Sequence, residues 1–199
     1  MTIWFTADQH FGHTNIIEYC NRPYDTIDEM DADLIQYWNQ VVGRYDVVYH
    51  LGDFTLGDVE MAKKYFSLLN GTVWILNNSW HHDKRWIENH TECITRSGSS
   101  VLLRDPLEVL ELKDYGKDGY PLAVSLCHYP LSEWDRKHYG GWHLHGHSHG
   151  EHKANGLILD VGVDSAALWL KEYRPFSLEE IMVIMLRKEI NNDSRITKF

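Results

Sequence analysis

Apolar and polar positions follow two different rhythms along this chain. Residues 2–7, Thr-Ile-Trp-Phe-Thr-Ala, form a β-branched and aromatic run that predicts a strand ending at Asp8. After Thr26, apolar residues recur at helical spacing as Ile27, Met30, Leu34, Trp38 and Val41, with Gly43 as a stop. Thr26 and Glu29 have capping-box spacing. Residues 46–51 predict a second buried strand, 59–69 a second helix closed by Asn70-Gly71, and 72–76 a third strand. Strands alternating with helices imply a parallel, right-handed α/β beginning. A short helix is then expected up to His90. Beyond Ser100 the texture changes to strands linked by turns, at 101–104, 107–113, 122–127, 142–145 and 157–161, which implies a mixed or antiparallel sheet. Ser177 and Glu180 repeat the capping spacing and open a last helix to about residue 188, followed by a polar tail. No repeat or Pro/Gly/Ser linker interrupts the chain, so residues 1–199 read as one domain.

The length is enough to bury a substantial core. With 19 basic against 29 acidic residues the formal charge is −10, so no overall positive field would draw nucleic acid phosphates or an anionic membrane. Long nucleic acid and membrane are therefore disfavoured as partners. The three cysteines, Cys20, Cys93 and Cys127, are widely spaced without a CxxC pair, which suggests neither a disulfide framework nor a thiolate zinc site. The N-terminal residues lack the basic start and apolar stretch of a signal peptide, and a cytoplasmic location is expected. Oligomeric state leaves no signal.

Candidate chemistry concentrates in residues 142–150, Trp-His-Leu-His-Gly-His-Ser-His-Gly, which hold four of the 13 histidines. Imidazole is the commonest protein metal ligand, so a metal site stands against the alternative of a histidine-rich surface loop. The rest of the chain favours the metal. Asp8-Gln9-His10, Gly52-Asp53 and His128 each follow a strand-like run, where open α/β sheets place their ligands. Carboxylate oxygens mixed with imidazole nitrogens suit manganese, iron, cobalt, nickel or zinc better than calcium or copper(I). There are more donors than one ion needs, and Asp53 at a strand end is a natural bridge between two.

The order Asp8-x-His10, Gly52-Asp53, an Asn near the third strand, His128 and Gly146-His147-x-His149 resembles the calcineurin-like metallophosphoesterase superfamily. Residues 8–17, His128-Tyr129-Pro130-Leu131 and residues 142–150 are similar to its small stand-alone bacterial and phage members. The resemblance implies an α/β fold, specifically a four-layer α/β/β/α sandwich of two mixed sheets flanked by helices. It implies hydrolysis of a phosphate ester, a diester ahead of a monoester and nucleotides among the candidates. Its cofactors would be two divalent ions drawn from manganese, iron, nickel, cobalt and zinc, with manganese first. Asp8, His10 and His149 would hold the first ion, His128 and His147 the second together with an Asn, and Asp53 would bridge them. A nearby histidine would act as general acid.

The fourth motif departs from the family pattern. Where the family has Gly-Asn-His followed by Asp or Glu, this chain reads Asn77-Asn78-Ser79-Trp80-His81-His82-Asp83. One register makes Asn78 the ligand and His82 the catalytic group, with Asn77 in the left-handed conformation that Asn tolerates. The other places Trp80 and His81 where Gly-Asn should be and makes His81 the ligand. The proton donor is thus His82 or His81. The departure also leaves open a catalytically weakened or inactive metal-binding or regulatory member of the same fold. His13, Asn15 and Arg22 are candidates for substrate binding beside capping and surface alternatives, and Arg22 could meet a phosphate bidentately. His143 and His145 are expected to pack or to support ligands, and Trp80, Trp86 and Trp134 to border the site.

Overall fold

The computed structural model describes residues 1–77, 82–89, 92–117, 119–153 and 155–196. In chain order the first half runs β1 (Ile3–Thr6), α1 (Asn15–Tyr19), α2 (Ile27–Val41), β2 (Val47–His50), α3 (Val59–Phe66), β3 (Thr72–Leu76), α4 (Lys84–Ile87) and β4 (Leu102–Arg104). The second runs β5 (Leu107–Lys117), β6 (Tyr120–Cys127), a 3-10 turn (Lys137–Tyr139), β7 (Trp142–His145), β8 (Ile158–Asp160), α5 (Val163–Leu170), β9 (Phe176–Ser177) and α6 (Leu178–Ile196). The protein is a mixed α/β structure with two mixed sheets.

The first sheet has the order β4-β3-β2-β1-β9, parallel except for β9, and the second the order β5-β6-β7-β8, with β5 antiparallel and the rest parallel. The parallel βαβ beginning agrees with the alternation of strands and helices in the sequence. Three features differ from the sequence reading. β4 closes the edge of the first sheet instead of opening the second, because three residues carry no signal of which sheet they pair with. Helix α5 follows Gly162 without a side-chain cap, so no capping residue announces it. The last helix passes residue 188 and is described to Ile196.

Period-2 alternation sorts the strand side chains into two cores. Trp4, Val48, Val73 and Ile75 pack with Met30, Leu34 and Trp38 of α2 and Phe66 of α3. Phe5, Tyr49 and Leu76 join Val124, Leu126, Leu144 and Leu159 of the second sheet and Ile181 and Met185 of α6. Helix α2 begins as its spacing predicts: the Thr26 hydroxyl accepts from Glu29 N at 3.2 Å. The Glu29 carboxylate reaches back to Asp25 N at 3.1 Å, one residue beyond the cap. Thr26→Ala should cost about 1 kcal/mol, read as a lower urea midpoint at unchanged slope; an unchanged midpoint would show that the cap contributes nothing.

Candidate metal centre

Among the described residues, those foreseen as ligands after a strand end lie on loops that leave β1, β2, β6 or β7, and backbone hydrogen bonds tie these loops together. Asp8 N donates to Gly52 O at 3.0 Å, His10 N to Asp53 O at 3.0 Å, and Gly146 N to His128 O at 3.0 Å. The loops hold an unusual backbone. Among the described residues eight non-glycine residues have positive φ, and five of them are Asp8 (63°), His10 (55°), Asp53 (57°), His147 (68°) and His149 (48°). Left-handed non-glycine backbone costs of order 1 kcal/mol per residue and persists only where the surroundings enforce it. Its concentration on these five positions is itself a sign of function.

The side chains fall into two groups that share one carboxylate. Asp8, His10 and His149 bring donor atoms within 4.8 Å of one another, and so do Asp53, His128 and His147. Asp53 Oδ2 stands 3.5 Å from His10 Nε2 and 3.5 Å from His128 Nε2, between the groups. His82 joins from the cleft side, with Nε2 4.0 Å from the same oxygen and its backbone N donating to Asp53 Oδ1 at 3.0 Å. Asp8 is received by glycines. A Cβ on Gly146 would lie 2.9 Å from Asp8 Oδ2, and one on Gly162 would clash with the same oxygen. Both sites need Gly for this close approach.

Hydrogen bonds to the far side of two rings fix which nitrogen faces the centre. His128 Nδ1 donates to Leu51 O at 3.0 Å, and His149 Nδ1 donates to Asp164 Oδ2 at 2.7 Å, leaving Nε2 of each ring as the donor atom for a metal. His10 is 1 % exposed, yet neither of its ring nitrogens makes a hydrogen bond. A buried imidazole without hydrogen-bond partners is costly unless a cation takes its lone pair. The donor set therefore fits divalent metal.

The electrostatics divide the donors: burial lowers some rings, and neighbouring carboxylates raise His128 and His149. Burial pushes the Asp8 carboxyl up to about 7, only partly offset by the charge of His128. For Asp53 burial acts upward too, but the hydrogen bond and charge of the adjoining His128 ring outweigh it and hold the carboxyl well below the usual range. Burial drives His10 well down and His147 down, so both rings are neutral and able to coordinate. Burial also opposes a charge on His149, yet Asp164, Cys20 and Asp8 beside it raise this ring to about 11.

Arg22 is the clear correction. Expected to meet substrate, it is 4 % exposed and turned inward: Nε and Nη2 pair with both oxygens of Asp164 at 2.8 Å. Nη1 donates to Gln9 O at 2.9 Å and Nη2 to Asp8 O at 2.7 Å. Its fork is spent on holding the Asp8 loop and on Asp164, the residue that sequence reasoning missed. Asp164 is 142 positions away from Arg22, and nothing local marks it. His13 lines the cleft, whereas Asn15 is exposed and not among its lining residues. His143 and His145 are buried in β7, as their alternation with Trp142 and Leu144 implies. His143 donates from Nδ1 to Ser125 O and accepts from Leu131 N, both at 3.0 Å. Trp86 is a second correction: it is fully buried against Phe54 and Phe66 and donates to Asp83 Oδ1 at 2.7 Å. Asn78, His81 and Trp80 lie outside the described residues, and with them the register of the fourth motif.

No family model matches this chain. It is 29% identical over 192 residues to an uncharacterized protein of Methanocaldococcus jannaschii, across 94% of this chain and 93% of that protein. The gene 66 proteins of two mycobacterium phages are 26% identical over 186 and 193 residues, covering 81% and 82% of this chain and 86% and 88% of theirs. A solved structure, that of a protein of unknown function from Aquifex aeolicus, matches with a TM-score of 0.61 at 20% identity over 92% of this chain and 98% of that one. That likeness is one of fold.

Proposed function

We propose that this protein is a metal-dependent phosphoesterase of the calcineurin-like metallophosphoesterase type, with the four-layer α/β/β/α arrangement of that superfamily, acting on phosphodiesters ahead of monoesters. The observation that carries this reading is the position of Asp53 Oδ2, 3.5 Å from a histidine of each donor group. A carboxylate shared by two donor sets is what a pair of divalent ions requires and what one ion does not. The similarity to phage proteins accords with the small stand-alone type, and among the described residues no helix is long and apolar enough to cross a membrane.

Asp8, His10 and His149 would hold one ion and His128 and His147 the other, with Asp53 common to both. When bound, the ions would supply Lewis-acid polarisation of the phosphoryl oxygens and acidify water. The protein does the positioning. His147 N donates to both Asp8 oxygens at 3.1 and 2.9 Å, which aims that carboxylate. The His82 side chain is 45% exposed, lines the cleft and is held by its backbone to Asp53, which supports a role for it as proton donor to the leaving oxygen. Asp83 accepts from Phe54 N and Thr55 N at 2.9–3.0 Å and thereby pins His82 to the loop that carries Asp53.

The test is purified protein loaded with manganese, cobalt or nickel and offered bis-p-nitrophenyl phosphate and p-nitrophenyl phosphate. Cleavage of the diester is expected, with about two metal ions per chain by elemental analysis; both esters left intact would sink the proposal. Metal should also be lost in acid, because the rings coordinate only when neutral and protons compete first for His128 and His149, which neighbouring carboxylates hold above the ordinary histidine value. Elemental analysis after dialysis at stepped pH reads this directly, and full occupancy retained at acid pH would contradict a histidine-held centre.

A further inference from the structure

We propose that the cleft selects a small phosphodiester carrying one phosphate only, with an apolar or aromatic arm lying against Ile16 and Tyr19. This rests on the phosphoesterase reading and narrows it to a substrate class. The cleft over the centre has a volume of about 630 Å³, the size that takes a compact ligand. Among the described residues lining it there is no lysine or arginine. Arg22, which neighbours the lining residues Cys20 and Asn21, points its donors inward to Asp164 and to the carbonyls of Asp8 and Gln9. Glu151 adds a carboxylate to the lining.

The charges decide the class. In a di- or triphosphate, every phosphate beyond the one at the metal centre would need a fixed cation or give up its hydration without a partner. Here it would meet histidines and Glu151. A diester brings a single charge, and that charge sits at the centre itself. The wall formed by α1 supplies the rest of the recognition: Ile16 and Tyr19 both line the cleft, and the Tyr19 ring, 69% exposed, stands at a steep angle to His13 with ring centres 6.2 Å apart. An exposed phenol on a short helix beside the catalytic cleft suits a flat or apolar ester arm. The formal charge of −10 acts in the same direction against polyanionic substrates.

Two measurements test this. On manganese-loaded protein, kcat/KM for bis-p-nitrophenyl phosphate and for the p-nitrophenyl ester of thymidine monophosphate should exceed that for ATP and pyrophosphate by about a hundredfold or more. In calorimetric titrations of the same protein, phenylphosphonate should bind about fivefold more tightly than methylphosphonate, neither being hydrolysable at its P–C bond, and Tyr19→Ala should remove that advantage. ATP or pyrophosphate cleaved within about tenfold of the diesters would overturn the proposal, as would phenylphosphonate binding no tighter than methylphosphonate. If no phosphate ester at all is cleaved, the phosphoesterase reading fails, while the calorimetric comparison still decides separately whether the α1 wall recognises an aromatic arm.

Discussion

Asp53→Asn is expected to lower turnover of bis-p-nitrophenyl phosphate by roughly a thousandfold and to bring metal content from about two ions per chain toward one. The substitution is close to isosteric, and it keeps an oxygen able to accept from His82 N as Asp53 Oδ1 does now. Asn also tolerates the left-handed backbone that this position has at φ 57°. Folding should therefore be little affected, and the loss would report chemistry. What the amide removes is negative charge at one point between two rings 3.5 Å away on either side, and an amide nitrogen there cannot be shared by two cations. Circular dichroism and the urea midpoint serve as controls on folding. Turnover within about tenfold of the wild type would mean that Asp53 does not bridge and that the two donor groups work apart.

The part of this arrangement that sequence reveals is the part written locally. The period of β1, α2, β2, α3 and β3, the Thr26–Glu29 cap, and the placing of Asp8, Asp53, His128 and His147 just beyond strands are all readable because each depends on neighbours in the chain. The candidate ligands are legible by type and order, and the structure brings six of the seven together in two sets that meet at Asp53, the seventh, Asn78, lying outside the described residues. What stays hidden is long-range. β4 pairs in parallel with β3 across a stretch with no pairing signal, and α5 starts behind Gly162, whose role is to clear space for Asp8. Arg22 illustrates the limit best. By composition an arginine near a proposed phosphate-ester site invites a substrate role, yet its meaning depends on Asp164, which packing alone supplies.

Arg22→Met should destabilise the protein by about 3–5 kcal/mol, the largest effect on stability expected outside the ligands. The Arg22 and Asp164 side chains are both nearly fully buried, and the pair is bidentate at 2.8 Å. Burial alone would lower the Arg22 pKa, but Asp164 more than compensates and keeps it charged. Burial likewise pushes Asp164 up, while His149 and Arg22 together hold it below its ordinary value. Methionine fills the volume but leaves a buried carboxylate with one partner and strips the carbonyls of Asp8 and Gln9 of theirs. Arg22→Lys should recover little, because an ammonium cannot make the fork. The pH dependence separates this charge effect from packing. A carboxyl with a depressed folded pKa contributes stability above the ordinary carboxylate value of about 4 and loses it as pH falls through the folded value, so the gap between wild type and Arg22→Met should narrow below about pH 4. Urea midpoints at neutral and acid pH measure both quantities. Equal midpoints at neutral pH would show that the pair contributes nothing net, and a gap that did not narrow in acid would assign the loss to packing rather than to the Arg22–Asp164 charge pair.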